Sequence, residues 1–178
     1  MRYPPLTAVQ MTPRQHEVAQ AIEARREGGL SDPYAALLYS PDVANLLQPL
    51  LEYLRFKLRV PEKLRFMAVL MTAAKYNCAD YFRHATDTRA TGLSADKVEA
   101  VSVGRRPTGM TDDEDMVHAF CHELISTSRV SNVTFDKMVN RFDREICLEL
   151  TTIISNTTLL TMMLNVTGTR FAEGAPAH

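Results

Sequence analysis

Two four-residue stretches constrain the fold most: Thr12-Pro13-Arg14-Gln15 and Thr111-Asp112-Asp113-Glu114. Each sets a threonine hydroxyl three residues ahead of a Gln or Glu that can reach back to the threonine's own N–H, which writes a helix start into the sequence. Pro13 supplies the fixed φ of a first helical position. The acids at 112–114 put negative charge at the positive end of the helix dipole. Ser40-Pro41 opens another helix, in which Val43, Leu46, Leu47, Leu50, Leu51 and Leu54 recur with a period near 3.6 up to an end near Lys57.

Pro61 opens a further helix. Leu64, Met67, Ala68 and Met71 make one stripe, and Val69, Leu70 and Ala73 widen it enough for deep burial. Ser94 is a third capping residue, and Val117, Phe120, Leu124 and Ile125 form the apolar face behind Thr111. Gly28-Gly29 reads as the stop of the first helix. A last helical region runs from about Val133 to Val166 with a break near Phe142-Asp143. The β-branched run LTTIISNTTLL favours strand by propensity alone. The apolar pattern nevertheless continues from Leu148 to Met163 without a turn signal, so helix is expected there too. The prediction is an all-α chain, one domain over residues 1–178, with residues 1–10 as an arm and 171–178 as a flexible tail.

Composition limits the function classes. A formal net charge of −1 provides no basic field for nucleic acid or an anionic membrane surface, so neither is expected as a partner. No run of about 18 apolar residues predicts a membrane span, and MRYPPLTAVQMTPRQ lacks the apolar core of a secretion signal. Cys78, Cys121 and Cys147 are odd in number and far apart, which fits no disulfide framework and points to a reducing cytoplasm. The sequons at Asn132, Asn156 and Asn165 are then chance matches.

The chemistry-bearing segment is YNCADYFRHATDTRATGL, residues 76–93. On a continuous helix Asp80 and Asn77 lie four and seven residues before His84, within roughly 40° of its direction, whereas Cys78 points about 120° away. Asp80 and His84 can form an oriented acid–base pair, with the carboxylate fixing the imidazole tautomer, or a surface pair one turn apart. Tyr81 lines the same pocket or packs. Asp115, His118 and His122 share a helix edge, but a robust metal site needs further ligands from elsewhere, so the expectation is a polar edge and no metal. There is no Walker motif, no GxGxxG and no GxSxG, and no cofactor is expected.

The order of segments adds a resemblance. MTPRQHEVAQAIEARREGGLSDPYAALLYSPDVANLLQPLLEYLRF, then VPEKLRFMAVLMTA, then His84 with Thr86, Arg89 and Gly92-Leu93-Ser94, then the half from FCHELISTSRV to TMMLN resemble, in that order, the carboxymuconolactone decarboxylase family. The likeness covers roughly Leu6 to Val166. It implies the alkylhydroperoxidase D-like fold, an all-helical protomer, and assembly into a homotrimer or homohexamer.

Peroxidase members of that family carry a CxxC with a histidine four residues after it and a relay glutamate one helix earlier. Here the cysteine positions hold Asn77 and Asp80, the glutamate falls at Arg65 or Phe66, and only the histidine, His84, remains. A dithiol peroxidase needs an attacking and a resolving thiol, so the resemblance leans toward the decarboxylase branch. It implies acid–base chemistry on a small organic acid or lactone, with His84 as proton carrier and Asp80 as its orienter. Asn77, Tyr81 and Arg65 would contact the substrate, and Arg65, Arg83 or Lys75 would hold its carboxylate. An antioxidant activity using Cys78 with another cysteine, and a non-catalytic ligand-binding role, are the alternatives.

Overall fold

The computed structural model describes residues 2–25, 30, 34–87 and 92–169. Every regular element among them is helical: a 3-10 turn at Ala8–Gln10, then α1 (Pro13–Glu23), α2 (Tyr34–Leu37), α3 (Pro41–Phe56), α4 (Glu62–Lys75), α5 (Ala79–Asp87), α6 (Ala95–Ser102), α7 (Asp112–Thr127), α8 (Asn132–Arg141) and α9 (Arg144–Thr167). The expected all-α class is therefore observed. Both predicted capping boxes are formed: the Thr12 hydroxyl accepts from the Gln15 N–H, and the Thr111 hydroxyl from the Glu114 N–H. The break at Phe142-Asp143 separates α8 from α9, where the Asp143 carboxylate accepts the Ile146 N–H at 2.9 Å. The Gly28-Gly29 stop and the 171–178 tail lie outside the described residues.

The described residues divide into two compact units, those up to Lys57 together with 163–169, and Leu58–Met162. In the first, α1 and α2 pack against α3. The buried face of α3 is Ala44, Leu47, Gln48 and Leu54, whereas Val43, Leu46 and Leu50 are exposed, so its apolar stripe is wider than the surface it buries. The residues before α1 are tied in: the Arg2 N–H donates to the Thr167 carbonyl, and the Tyr39 hydroxyl donates to the Pro4 carbonyl, both at 2.9 Å.

The second unit is organised around α4, which packs against α5, α6 and α7. Its Met67, Ala68, Leu70, Thr72 and Ala73 have essentially no exposure, matching the wide stripe read from the sequence. The segment before α4 is anchored from α9, where the buried Glu149 carboxylate accepts the backbone N–H groups of Arg59 and Val60 at 2.9 and 3.0 Å. By length and composition α9 could cross a membrane, with a mean hydropathy of 1.3, yet half of that window is buried inside the protein, as in a core helix. It is helix throughout the β-branched run.

Candidate functional site

Three helix ends decide where the polar groups of the second unit converge. At the end of α4, Asn77 adopts φ 51°, its N–H donates to the Ala74 carbonyl at 3.1 Å, and the Cys78 N–H donates to the Ala73 carbonyl at 3.0 Å. This pair of bonds is the Schellman stop, with asparagine taking the left-handed position usually given to glycine. The continuous helix assumed for Asn77, Asp80 and His84 is therefore interrupted. Asn77 belongs to the stop of α4 and Asp80 to the first turn of α5, and the angular argument linking them lapses.

The same device ends α6. Gly104 sits at φ 69°, its N–H reaches the Val101 carbonyl at 3.0 Å, and the Arg105 N–H reaches the Ala100 carbonyl at 2.8 Å. An added Cβ at Gly104 would meet nothing, so the backbone conformation is what calls for glycine here. The turn carries Arg105 and Arg106 outward. The start of α7 is locked by Glu114, which has no solvent exposure: Lys63 Nζ of α4 stands 2.5 Å from one carboxylate oxygen, and Lys97 Nζ of α6 donates to the other at 2.7 Å. Burial pushes this carboxyl up, but Lys63, Lys97 and the Thr111 N–H outweigh it and hold the group at about 2. That junction fixes α4, α6 and α7 together.

Between these three helices lies a cleft of about 640 Å³. Met71, Ala74 and Lys75 line it from α4, Val101 and the Gly104–Arg106 turn from α6, and His118, Ala119, His122, Glu123, Ile125 and Ser126 from α7. His118 is 6% exposed, and its Nδ1 is buried without a hydrogen-bond partner. Its ring stacks on that of His122, with centroids 6.1 Å apart and planes 8° from parallel. Burial lowers the His118 pKa, Arg106 and His122 lower it further, and Asp115 opposes them. Asp115 is itself ion-paired with Arg106. Glu123 is committed elsewhere: it accepts the Ser131 N–H at 2.6 Å and the Thr134 hydroxyl, and these bonds hold its pKa down.

Of the described side chains singled out on and beside α5, Asn77, Cys78, Asp80, Tyr81 and Arg83 do not line this cleft. Asp80 pairs with Arg83 at 3.3 Å, and Tyr81 is half-buried. His84 lies on α5, and its side chain is outside the described residues. Arg65 pairs with Glu62 at 3.3 Å, and its guanidinium stands 5.4 Å from the centre of the Phe66 ring. Lys75, one of the three cations considered for a substrate carboxylate, does line the cleft. The Asp115-His118-His122 edge also proves informative, since two of its members face the cleft. Sequence spacing had aligned them, but nothing local indicated that α4 and the α6 turn would close over them.

The three cysteines are buried. Burial raises the Cys78 thiol, as Asp80 does, against a lowering backbone bond from Tyr81. Burial raises Cys147 too, and pushes Cys121 up to about 12. No group of three or more His, Cys, Asp or Glu able to hold a metal occurs among the described residues.

With the helix order and the cleft in hand, comparison with solved structures is decisive for the fold. A peroxidase-related protein from Ralstonia eutropha, described as an alkylhydroperoxidase AhpD core, superposes with a TM-score of 0.76 at 17% identity, covering 97% of this chain and 92% of that one. The chain has an AhpD-like fold. The debrominase Bmp8 matches with a TM-score of 0.65 at 17% identity over 98% of this chain and 93% of its own. A cysteine-to-alanine variant of Bmp8 in complex with 2,3,4-tribromopyrrole matches equally, at 18% identity over 99% and 94%. No protein-family model and no curated protein matches the sequence. The AhpD-like fold is thus shared at sequence identities where chemistry does not travel with architecture.

Proposed function

We propose that this AhpD-like protein catalyses proton transfer at a carbon of a small organic acid or lactone, as in a decarboxylation or a related lyase or isomerase step. The observation that carries the reading is His118: a largely buried imidazole, disposed to be neutral, on the wall of a cleft that also presents Lys75, Arg105 and Arg106. A neutral imidazole is a competent base at physiological pH, and positioned proton transfer of this kind contributes about 10²–10⁴-fold in rate. Neutral His118 takes a proton from the substrate carbon, the developing negative charge is balanced by the cations, and the imidazolium returns the proton to the same or a neighbouring atom. In a decarboxylation the carbon that loses CO2 takes its proton from water relayed through His118, and the hydroxide left combines with CO2 as bicarbonate.

The peroxidase alternative, suggested by one neighbour's description, requires an accessible thiolate. The described cysteines are buried with raised pKa values, which weighs against it.

The test works without the natural substrate in hand. A panel of 2-oxo acids, 3-oxo acids and γ-lactones is incubated in D2O, and carbon-bound deuterium or loss of CO2 is read by mass spectrometry. The wild type should label at least one acid, and His118→Gln should slow that labelling about a hundredfold. If His118→Gln labels at the wild-type rate while His84→Ala does not label, the role returns to α5. Absence of exchange with every member of the panel favours the ligand-binding alternative.

A further inference from the structure

The lining of the cleft also indicates what it binds, a conclusion that rests on the same site and deepens its reading. We propose that its ligand is a monocarboxylic acid borne on an apolar body, with the carboxylate at Lys75 and the Arg105-Arg106 turn and the body laid between α4 and α7.

Charge fixes the sign and the number. The lining presents three cations and one carboxylate, that of Glu123. Glu123, bonded to Ser131 and Thr134, keeps its charge, so the lining carries a surplus of positive charge but not an unopposed one. Arg106 has a counter-ion in Asp115. Among the described residues Arg105 pairs with Glu99 alone, at 4.0 Å with both side chains mostly exposed, a contact that contributes little. No ion pair involves Lys75 among the described residues. One cation is thus balanced, one weakly so, and one available, which suits a single negative charge better than two. Planar guanidinium donors favour carboxylate geometry, and Lys75 adds a point charge.

Size and polarity fix the rest. About 640 Å³ is far more than a bare anion such as acetate or phosphate fills, and lies within the range of sites that enclose ligands with a ring or chain. The apolar residues of the lining are Met71, Ala74, Val101, Ala119 and Ile125, alongside the polar His122 and Ser126. This apolar share of the lining rewards an apolar body on the ligand. Methionine adapts its shape to the body it meets.

Isothermal titration calorimetry with sodium acetate, sodium benzoate, sodium hexanoate and neutral benzamide tests the proposal directly. Benzoate or hexanoate should bind at least about tenfold more tightly than acetate, and benzoate at least about tenfold more tightly than benzamide. Hexanoate ahead of benzoate supports a chain-borne acid, and the reverse order a ring-borne one. Lys75→Met should lose about tenfold for the acids and nothing for benzamide; Arg105→Gln, on an exposed turn, serves as a second variant with the same expectation. Equal affinity for acetate and benzoate, equal affinity for benzoate and benzamide, or no binding of any acid overturns the proposal. Benzoate has no proton on the carbon next to its carboxylate, so its binding is read independently of turnover. Acid binding without exchange in the D2O panel removes the catalytic reading and leaves the ligand class standing.

Discussion

Replacing Glu114 with glutamine isolates the strongest electrostatic feature of the second unit. The carboxylate has no exposure and is held between Lys63 and Lys97, with a pKa lowered from 4.5 to about 2. That depression corresponds to roughly 3 kcal/mol of folded-state stabilisation of the charged form. Because the folded pKa is the lower one, the stability is fully present above the ordinary carboxylate range and is lost as pH falls from there through about 2. Glutamine keeps a side-chain oxygen for the Thr111 N–H that Glu114 now accepts at 2.8 Å, so the capping box survives and only the charge is removed. Urea unfolding followed by far-UV circular dichroism at pH 7 should show Glu114→Gln less stable by about 3 kcal/mol, or roughly 6–12 °C in Tm for a chain of this size. At pH 3 the gap should shrink to roughly half, since the wild type has by then lost part of its advantage. Lys97→Met should destabilise the wild type but cost little in the Glu114→Gln background, the coupling expected of a buried pair. A loss below about 1 kcal/mol at pH 7, or a gap that does not narrow on acidification, would refute the assignment of Glu114 as the lock on α4, α6 and α7.

Two further outcomes follow from the geometry. Glu149→Ala leaves the N–H groups of Arg59 and Val60 without their acceptor, and at about 1–3 kcal/mol for the buried Val60 donor left unpaired it should lower stability and open residues 58–60 to limited proteolysis, read by mass spectrometry. The three thiols should react with iodoacetamide at pH 8 far more slowly in the native protein than in urea, because burial hides them and raises their pKa values, that of Cys121 to about 12; rapid labelling of Cys78 in the native protein would reopen a thiol mechanism.

Local chemistry wrote much of this protein into its sequence. Thr12, Ser94 and Thr111 start helices where capping residues should, Pro41 and Pro61 mark two more starts, and the wide stripe of α4 foretold its central, buried place. These features depend on neighbours within one or two turns, so a linear reading reaches them. The stop at Asn77 was also local, but asparagine in the left-handed position looks no different in sequence from asparagine on a helix face, and three candidate residues were aligned across a break.

The cleft belongs to tertiary structure alone. Lys75 is separated from the Arg105-Arg106 turn and from His118 by 30 to 43 residues, and no periodicity connects them. What joins them is the packing of α4 on α6 and α7, locked by a carboxylate that sequence could identify only as half of a capping box. Helix identity follows from backbone preference and capping, which act within a turn. The character of His118 follows from desolvation and from charges brought near by folding, and those do not exist until the three helices meet.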